Sequence, residues 1–140
     1  MSVMDEIAGV RRTTRRTLAW AETDAAGHNH FSAAVRWLEE GEHELWRELG
    51  LIEMVPRVPR LHLEIDFADR IMFGDPLDVT VGIIKVGKSS ATFGTVIEHA
   101  GDSPRLAIEC RHVVVHVSDK LGRSAPWPDE VRELLLNPQA

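Results

Sequence analysis

The spacing of apolar residues changes along the chain and divides it into a helical part and a strand-rich part. Between residues 31 and 49, apolar side chains recur every three or four positions, which is the spacing of a buried stripe on a helix. We therefore predict a helix over residues 31–49, followed by Gly50 in the usual position after a helix C-terminus. The stripe consists of Phe31, Ala34, Val35, Leu38, Leu45, Trp46 and Leu49.

Alternation of apolar and polar residues predicts strands on both sides of this helix. Before it, residues 12–22 form a predicted strand with Leu18 and Trp20 on one face. After it, Gly- and Pro-containing turns separate further runs, the first of which carries Leu61, Leu63, Ile65 and Phe67. The predicted strands there are 61–67, 77–86, 91–100 and 106–117, with a loose or weakly helical lead-in over 1–11 and a short C-terminal helix over 129–136.

The order of strand, long helix and four antiparallel strands predicts an α+β domain in which one sheet wraps one helix. Gly41 in the middle of the helix costs about 1 kcal/mol relative to alanine, so we expect the sheet to approach the helix closely there. We expect residues 1–140 to form a single domain with its core at about 12–118. The exposed sheet edges predict an oligomer.

Composition excludes several classes of protein. No stretch approaches the roughly 20 apolar residues of a membrane span, and residues 1–16 lack the apolar segment of a secretory signal. A net charge of −6 without a long basic block argues against a nucleic-acid partner. The single cysteine, Cys110, excludes an intrachain disulfide and suits a reducing cytoplasm. We therefore expect a cytoplasmic protein without a membrane or nucleic-acid partner.

The loop between the first predicted strand and the long helix concentrates ionisable groups. Residues 22–31 contain the carboxylate of Asp24, the imidazoles of His28 and His30, and Gly27. A helix N-terminus presents unpaired N–H groups and partial positive charge. A carboxylate beside such donors suits acyl transfer, in which a base or nucleophile works next to an oxyanion site. The sequence thus predicts a catalytic site in this loop.

Each of these residues also has a plainer interpretation. Asp24 is in a position where aspartate often only stabilises a turn, and either histidine alone is commonly a surface residue. Asp24, His28 and His30 are a possible set of metal ligands, but loops of this kind are more often polar sites, so no metal is predicted. Glu42 falls on the apolar stripe, where an unpaired carboxylate is costly. We expect it to be paired, at a subunit interface or in the pocket.

Short motifs occur in a fixed order over roughly residues 12–118. A D-x-x-G element, Asp24 and Gly27, follows the first strand, and Phe31 lies in the turn after it. The further motifs are Trp37-Leu38-Glu39, Gly50-Leu51, Gly74-Asp75-Pro76-Leu77 and Lys88-Ser89-Ser90. In this order they resemble the hotdog-fold acyl-CoA thioesterases of the 4-hydroxybenzoyl-CoA thioesterase-like group. The resemblance implies a hotdog fold, with a five-stranded antiparallel sheet around one long central helix.

The resemblance also implies an activity, the hydrolysis of an acyl-CoA thioester to free acid and CoA by a homodimer or homotetramer. Asp24 takes the position of the catalytic carboxylate, as nucleophile or general base, and the backbone N–H of Phe31 that of the oxyanion donor. Gly27 lets the chain approach the thioester carbonyl without a Cβ in the way. Apart from the resemblance, we expect one of His28 and His30 to line the pocket, where an imidazole would protonate the leaving thiolate or orient Asp24. No cofactor is implied, since coenzyme A is part of the substrate.

Further site residues follow from the same resemblance. The basic and serine-containing hairpin would lie near the pantetheine or nucleotide arm of coenzyme A. Apart from the resemblance, two or three of the basic residues scattered near strand ends would suit its phosphates if they converge; these are Arg70, Lys85, Lys88, Arg111 and Arg123. Some hotdog thioesterases carry a catalytic glutamate on the helix, so Glu39 or Glu42 is a second candidate for that role. The predicted substrate-binding residues are Lys88, Ser89, Ser90 and Arg70.

The chain departs from the family after the D-x-x-G element. Many relatives have Val-x-Tyr or an Asn-Asn pair there, whereas this chain has His28, Asn29 and His30. The acyl group therefore stays open. Three alternatives to an acyl-CoA thioesterase also stay open, namely a thioesterase acting on an acyl carrier protein, a hotdog hydratase or dehydratase, and an acyl-binding protein without activity. The net charge of −6 argues against the acidic carrier protein.

Overall fold

Five antiparallel strands form one sheet around a long helix in the structure, a computed structural model that describes residues 2–118 and 122–139. The strand order is β1-β3-β4-β5-β2, so β1 and β2 are the two edges. The predicted α+β hotdog architecture is confirmed. In chain order the elements are α1 (Val3–Glu6), β1 (Arg11–Thr17), α2 (Ala33–Glu48), β2 (Arg60–Phe67), β3 (Pro76–Val86), β4 (Ser90–His99), β5 (Arg105–Val115) and α3 (Asp129–Leu136).

Helix α2 packs on one face of the sheet and forms most of the core with it. A Cβ on Gly41 would lie 2.3 Å from Cγ2 of Val81 on β3, so only glycine lets helix and sheet meet at this distance. Cys110 is buried in β5, where burial and the nearby Asp66 and Glu109 carboxylates raise the pKa of its thiol to about 12. Buried side chains on α2 include Trp37, Leu38, Leu45 and Trp46.

The chain ends contribute to the fold beyond the predicted core of 12–118. Helix α1 packs on β4 and β5, and Val3 is fully buried. Val3 lies against Gly94, a neighbour in sequence of the core residue Phe93, so α1 covers the face of the sheet opposite α2. Helix α3 lies where the sequence predicts it, and its buried face joins the core through Val131 and Leu135.

The predicted first strand was too long. Strand β1 ends at Thr17, and Trp20–Glu22 forms a 3₁₀ turn instead. The turn closes because the Glu22 side chain accepts a hydrogen bond from the Ala19 amide at 2.9 Å. Leu18 is buried while Trp20 is 77% exposed, so the two do not share a face as predicted.

The predicted long helix started too early, because α2 begins at Ala33. Phe31 precedes the helix and is 70% exposed, and Val35 is also exposed, so neither belongs to the buried stripe. Strand β2 is present as predicted, but as an edge strand its Leu61, Leu63 and Phe67 side chains stay exposed in the single chain.

Candidate active site

The loop between β1 and α2 is closed by hydrogen bonds that leave Asp24 at the surface of a cavity. Asp24 N donates to the carbonyl of His28 at 2.8 Å, and Gly27 N donates to the carbonyl of Asp24 at 3.1 Å. Gly27 has a φ of +89° and nothing within 4 Å of the position a Cβ would take. The turn therefore needs glycine for its backbone conformation rather than for space.

The Asp24 carboxylate is ionised and partly shielded from solvent. Its Oδ1 accepts a hydrogen bond from the Ala26 amide at 2.8 Å, and its Oδ2 lies 3.7 Å from Nδ1 of His28. Desolvation favours the neutral acid. It is outweighed by the hydrogen bond from the Ala26 backbone, the charge of His28 and the hydrogen bond from the His28 backbone. The pKa of Asp24 is therefore held below its ordinary value.

Phe31 and His30 occupy the turn that leads into α2. Throughout residues 2–118 and 122–139 no hydrogen-bond acceptor is found for the Phe31 amide, which lies one residue before Ser32, the N-cap of α2. The His30 ring makes its hydrogen bonds within this turn. Its Nδ1 accepts a hydrogen bond from the Ser32 amide at 3.2 Å and contacts Ser32 Oγ at 2.8 Å. Its ring stacks on Phe31 with centroids 4.6 Å apart. His30 thus organises the helix start.

A cavity of about 500 Å³ joins this loop to the end of β2. Asn29 connects the two walls, because its amide donates to the carbonyl of Ile71 at 2.9 Å and its Oδ1 accepts from the Ile71 amide at 3.0 Å. The lining therefore combines residues far apart in sequence. They are Asp24, His28, Asn29, Phe31, Phe67, Ala68, Asp69 and Arg70.

The second wall has its own charge pattern. Asp69 pairs with Arg105 at 2.7 Å and lies 3.3 Å from Nε2 of His99. The hydrogen bond from Arg105 lowers the pKa of Asp69 below its ordinary value despite some desolvation. Arg70, in contrast, has no carboxylate within 4.0 Å in the part of the chain that the structure describes. Arg70 is thus the cationic group that this wall offers to a ligand.

Of the residues predicted for the site, the structure brings Asp24, His28, Phe31 and Arg70 to one cavity, with Gly27 shaping the turn. The predictions missed Asn29, Phe67, Ala68 and Asp69. The run from Phe67 to Arg70, an apolar strand end followed by charged residues, was a pattern that could have indicated a wall. Nothing in the sequence indicates that this strand end meets the loop of Asp24.

The hairpin residues Lys88, Ser89 and Ser90 lie at the other end of the sheet. Val86 pairs with Ala91, and pairing across β4 and β5 places these residues in line with Arg60, at the start of β2. The cavity lies at the opposite end of β2, at Phe67. At about 3.3 Å per residue the hairpin is therefore about 25 Å from the cavity within one chain.

The helix glutamates lie outside the cavity lining. Glu42 is 1% exposed and is paired with Arg60 at 2.9 Å and His112 at 2.7 Å, while Trp46 donates to it at 3.1 Å. Desolvation opposes its ionisation, but these three partners outweigh it and lower its pKa. Glu39 is half exposed beside Arg60 at 3.3 Å. Of the three arrangements expected for Glu42, the structure has the paired one.

Two kinds of feature are absent from the described residues. Across residues 2–118 and 122–139, no three His, Cys, Asp or Glu side chains are grouped as metal ligands. In the same residues, none of the helices has both the length and the apolar character that crossing a bilayer requires.

Comparisons with known proteins identify relatives of this chain. The model of the thioesterase-like superfamily matches residues 18–135. A 1,4-dihydroxy-2-naphthoyl-CoA hydrolase from Synechococcus sp. (strain RCC307) is 27% identical over 84% of this chain and 95% of its own.

Solved structures of thioesterases superpose on this fold. A 1,4-dihydroxy-2-naphthoyl-CoA thioesterase from Synechocystis superposes with a TM-score of 0.81 at 22% identity, covering 93% of this chain and 98% of the other. A predicted thioesterase from Bacillus stearothermophilus gives a TM-score of 0.78 at 28% identity, covering 90% and 94%. The resemblance stated from the sequence is confirmed, and the chain belongs to the thioesterase-like superfamily as an enzyme of the thioester-hydrolysing class.

Proposed function

We propose that this protein hydrolyses an aromatic acyl-CoA thioester, with Asp24 as nucleophile or general base and the Phe31 amide as oxyanion donor. One observation carries the proposal: the same cavity is lined by Asp24, whose carboxylate is ionised, and by Phe31, whose backbone amide has no acceptor among the described residues and lies just before α2. The carboxylate supplies attack on the carbonyl or activation of water. A backbone donor at such a site is typically worth about 3 kcal/mol of transition-state stabilisation.

His28 is an orienting group in this mechanism. Its Nδ1 lies 3.7 Å from the Asp24 carboxylate, so it favours the ionised form of Asp24 by its charge when protonated. Acid catalysis by His28 is not required, because a thiolate leaves far more readily than an amine. His30 supports the helix start and has no direct part in the reaction.

An aromatic acyl group fits the apolar part of the lining. Phe31 and Phe67 are 70% and 51% exposed and flank the cavity from its two walls. Aromatic side chains form favourable edge-to-face or offset contacts with an aromatic ring. The relatives named for 1,4-dihydroxy-2-naphthoyl-CoA act on an acyl group of this kind. The Asn29 and Arg70 side chains would contact polar groups of the substrate.

The complete site would need a second copy of the chain. Arg70 lines the cavity and would contact substrate phosphates there, whereas Lys88, Ser89 and Ser90 lie about 25 Å away, at about 3.3 Å per residue along the strands. These hairpin residues would therefore bind coenzyme A only across a subunit interface. The exposed edge strand β2 is a surface on which such an oligomer would assemble.

The first test is thiol release from a panel of aromatic, short-chain and medium-chain acyl-CoAs by wild type and Asp24→Asn. We expect turnover of an aromatic thioester and a fall in kcat of at least about hundredfold in the variant. Asp78→Asn is the matched control, because Asp78 is 32% exposed, close to the 31% of Asp24, and pairs with Arg15 outside the cavity.

The outcomes separate the parts of the proposal. Full activity of Asp24→Asn would remove Asp24 from the mechanism and make His28, which lines the same cavity, the next candidate ahead of His30 and the helix glutamates. Turnover only of acyl carrier protein thioesters would replace the coenzyme A substrate. An inactive wild type that still binds acyl-CoA would contradict hydrolysis itself.

A further inference from the structure

Glu22, two residues before Asp24, is a buried carboxylate whose two oxygens are both occupied. Its Oε1 accepts a hydrogen bond from the Ala19 amide at 2.9 Å. Its Oε2 accepts from the indole Nε1 of Trp37 at 2.6 Å and from the guanidinium of Arg16 at 3.0 Å. Donors from the 3₁₀ turn, from α2 and from β1 therefore meet on one side chain.

The main chain of Glu22 holds the other end of the same loop. Its carbonyl oxygen accepts a hydrogen bond from the His30 amide at 2.7 Å. The loop that carries Asp24 thus starts and closes on Glu22, and the Phe31 amide follows one residue after this closure. Through Trp37 the same residue is attached to α2, the helix that begins directly after Phe31 and Ser32.

A neutral amide cannot take the place of this carboxylate. A glutamine offers one acceptor oxygen and one NH₂ group, whereas three donors point at Glu22. If the glutamine oxygen faces Trp37 and Arg16, its NH₂ group faces the Ala19 N–H. In the reverse orientation the NH₂ group faces Trp37 and Arg16. Either way a buried donor loses its acceptor. Arg16 also stacks over the Trp37 ring at 4.7 Å, so the indole is held on two sides.

We propose that Glu22 is a positioning residue that sets the Asp24 carboxylate against the Phe31 amide by tying both loop ends to α2. This inference rests on the proposed function, since it concerns the same carboxylate and amide. A shift of about 1 Å between reacting groups can cost about hundredfold in rate. Loss of the Glu22 contacts is therefore expected to lower kcat more than it weakens substrate binding.

The test compares two tryptophan substitutions on α2. Trp37→Phe removes the indole N–H that donates a hydrogen bond to Glu22, and Trp46→Phe removes the indole N–H that donates one to Glu42 at 3.1 Å. Both rings are 1% exposed and the change in volume is the same, so the loss of stability should be similar. Only Trp37→Phe should lower kcat, by about tenfold or more with KM changed less than about threefold. Trp46→Phe should keep the kcat of wild type.

Glu22→Gln is the second variant. It should show the same split between kcat and KM, with a larger loss of kcat than Trp37→Phe, because the turn also loses its closure at Ala19. Circular dichroism and the melting temperature of each variant establish that the assayed protein is folded at the assay temperature.

Each result decides the inference. Wild-type kcat in folded Trp37→Phe and Glu22→Gln, with only the melting temperature lowered, would show a structural role and overturn the positioning role. Equal losses of kcat in Trp37→Phe and Trp46→Phe would overturn it too, because the effect would then be general to α2. An inactive wild type contradicts the proposed function instead, and Asp24→Asn in the same assay keeps the two failures apart.

Discussion

At the scale of single residues, the chemistry of the candidate site depends on how Asp24 is kept ionised. Desolvation works against the charge, and the Ala26 amide together with His28 more than compensates for it. The folded protein thus lowers the pKa of a carboxyl group that is still 31% exposed and available to a substrate. Glu42 is a contrast, because its carboxylate is ionised but enclosed by Arg60, His112 and Trp46.

The lowered pKa of Asp24 predicts the direction of the pH dependence. The ionised form is the active one, so kcat/KM should be constant at neutral pH and fall only as the pH drops through the lowered pKa. His28→Gln removes a charge that helps to lower this pKa, so the acid limb of the profile should move to higher pH. The measurement is kcat/KM against pH for both proteins, and an acid limb that stays in place would contradict the role of His28.

At the scale of elements, the contact of α2 with the sheet depends on Gly41. A Cβ there would lie 2.3 Å from Val81 Cγ2, well inside contact distance. Alanine would gain about 1 kcal/mol of helix propensity, but overpacking a core typically costs 1–3 kcal/mol. The steric effect therefore outweighs the propensity, although the opposite result would be expected for an exposed helix.

We predict that Gly41→Ala destabilises the protein by about 1–2 kcal/mol. In a Val81→Ala background, where the Cγ2 methyl group that clashes is removed, the same substitution should stabilise it by up to about 1 kcal/mol. Chemical denaturation of the four proteins in this double-mutant cycle measures both values. Equal effects of Gly41→Ala in the two backgrounds would show that Val81 does not set the approach of the helix.

At the scale of the whole molecule, edge strand β2 leaves apolar side chains uncovered beside the cavity. Leu63 and Phe67 lie on the same face of β2 as Ile65, which is packed against the core, yet they are 39% and 51% exposed. Leu61, at the register shift of this strand, is 66% exposed. An uncovered strand edge with apolar residues is a site of pairing with another chain. We expect this edge to be covered by a second copy.

Oligomerisation is therefore predicted to be sensitive to charge on β2. Wild type should have a solution mass of about 31 kDa or a multiple of it, twice the chain mass of 15.7 kDa. Leu63→Lys should shift the mass towards 15.7 kDa and lower activity with it. Leu136→Lys is the control, because Leu136 is similarly exposed, at 46%, but lies on α3. Light scattering coupled to gel filtration gives the masses, and a monomeric wild type would contradict the prediction.

Much of the fold was predictable because helices and strands have local patterns. The strands β3, β4 and β5 and helix α3 differ from their predicted ranges by no more than two residues at either end. The predicted first strand is an exception, since Trp20 continues its apolar alternation and yet lies in a 3₁₀ turn. That turn is stabilised by the contacts of Glu22 with Ala19, Trp37 and Arg16, and periodicity contains no information on such side-chain bonds.

The sequence by itself determined the α+β class, the family and the loop that carries Asp24, because each depends on residue types at short spacings. Only the tertiary structure decided what faces Asp24. The strand order brings the end of β2, with Phe67 and Arg70, to that loop, and places the hairpin of Lys88 at the far end of the sheet. It also decided the buried role of Glu22. Pairing between distant segments sets these neighbours, and local spacing does not encode that pairing.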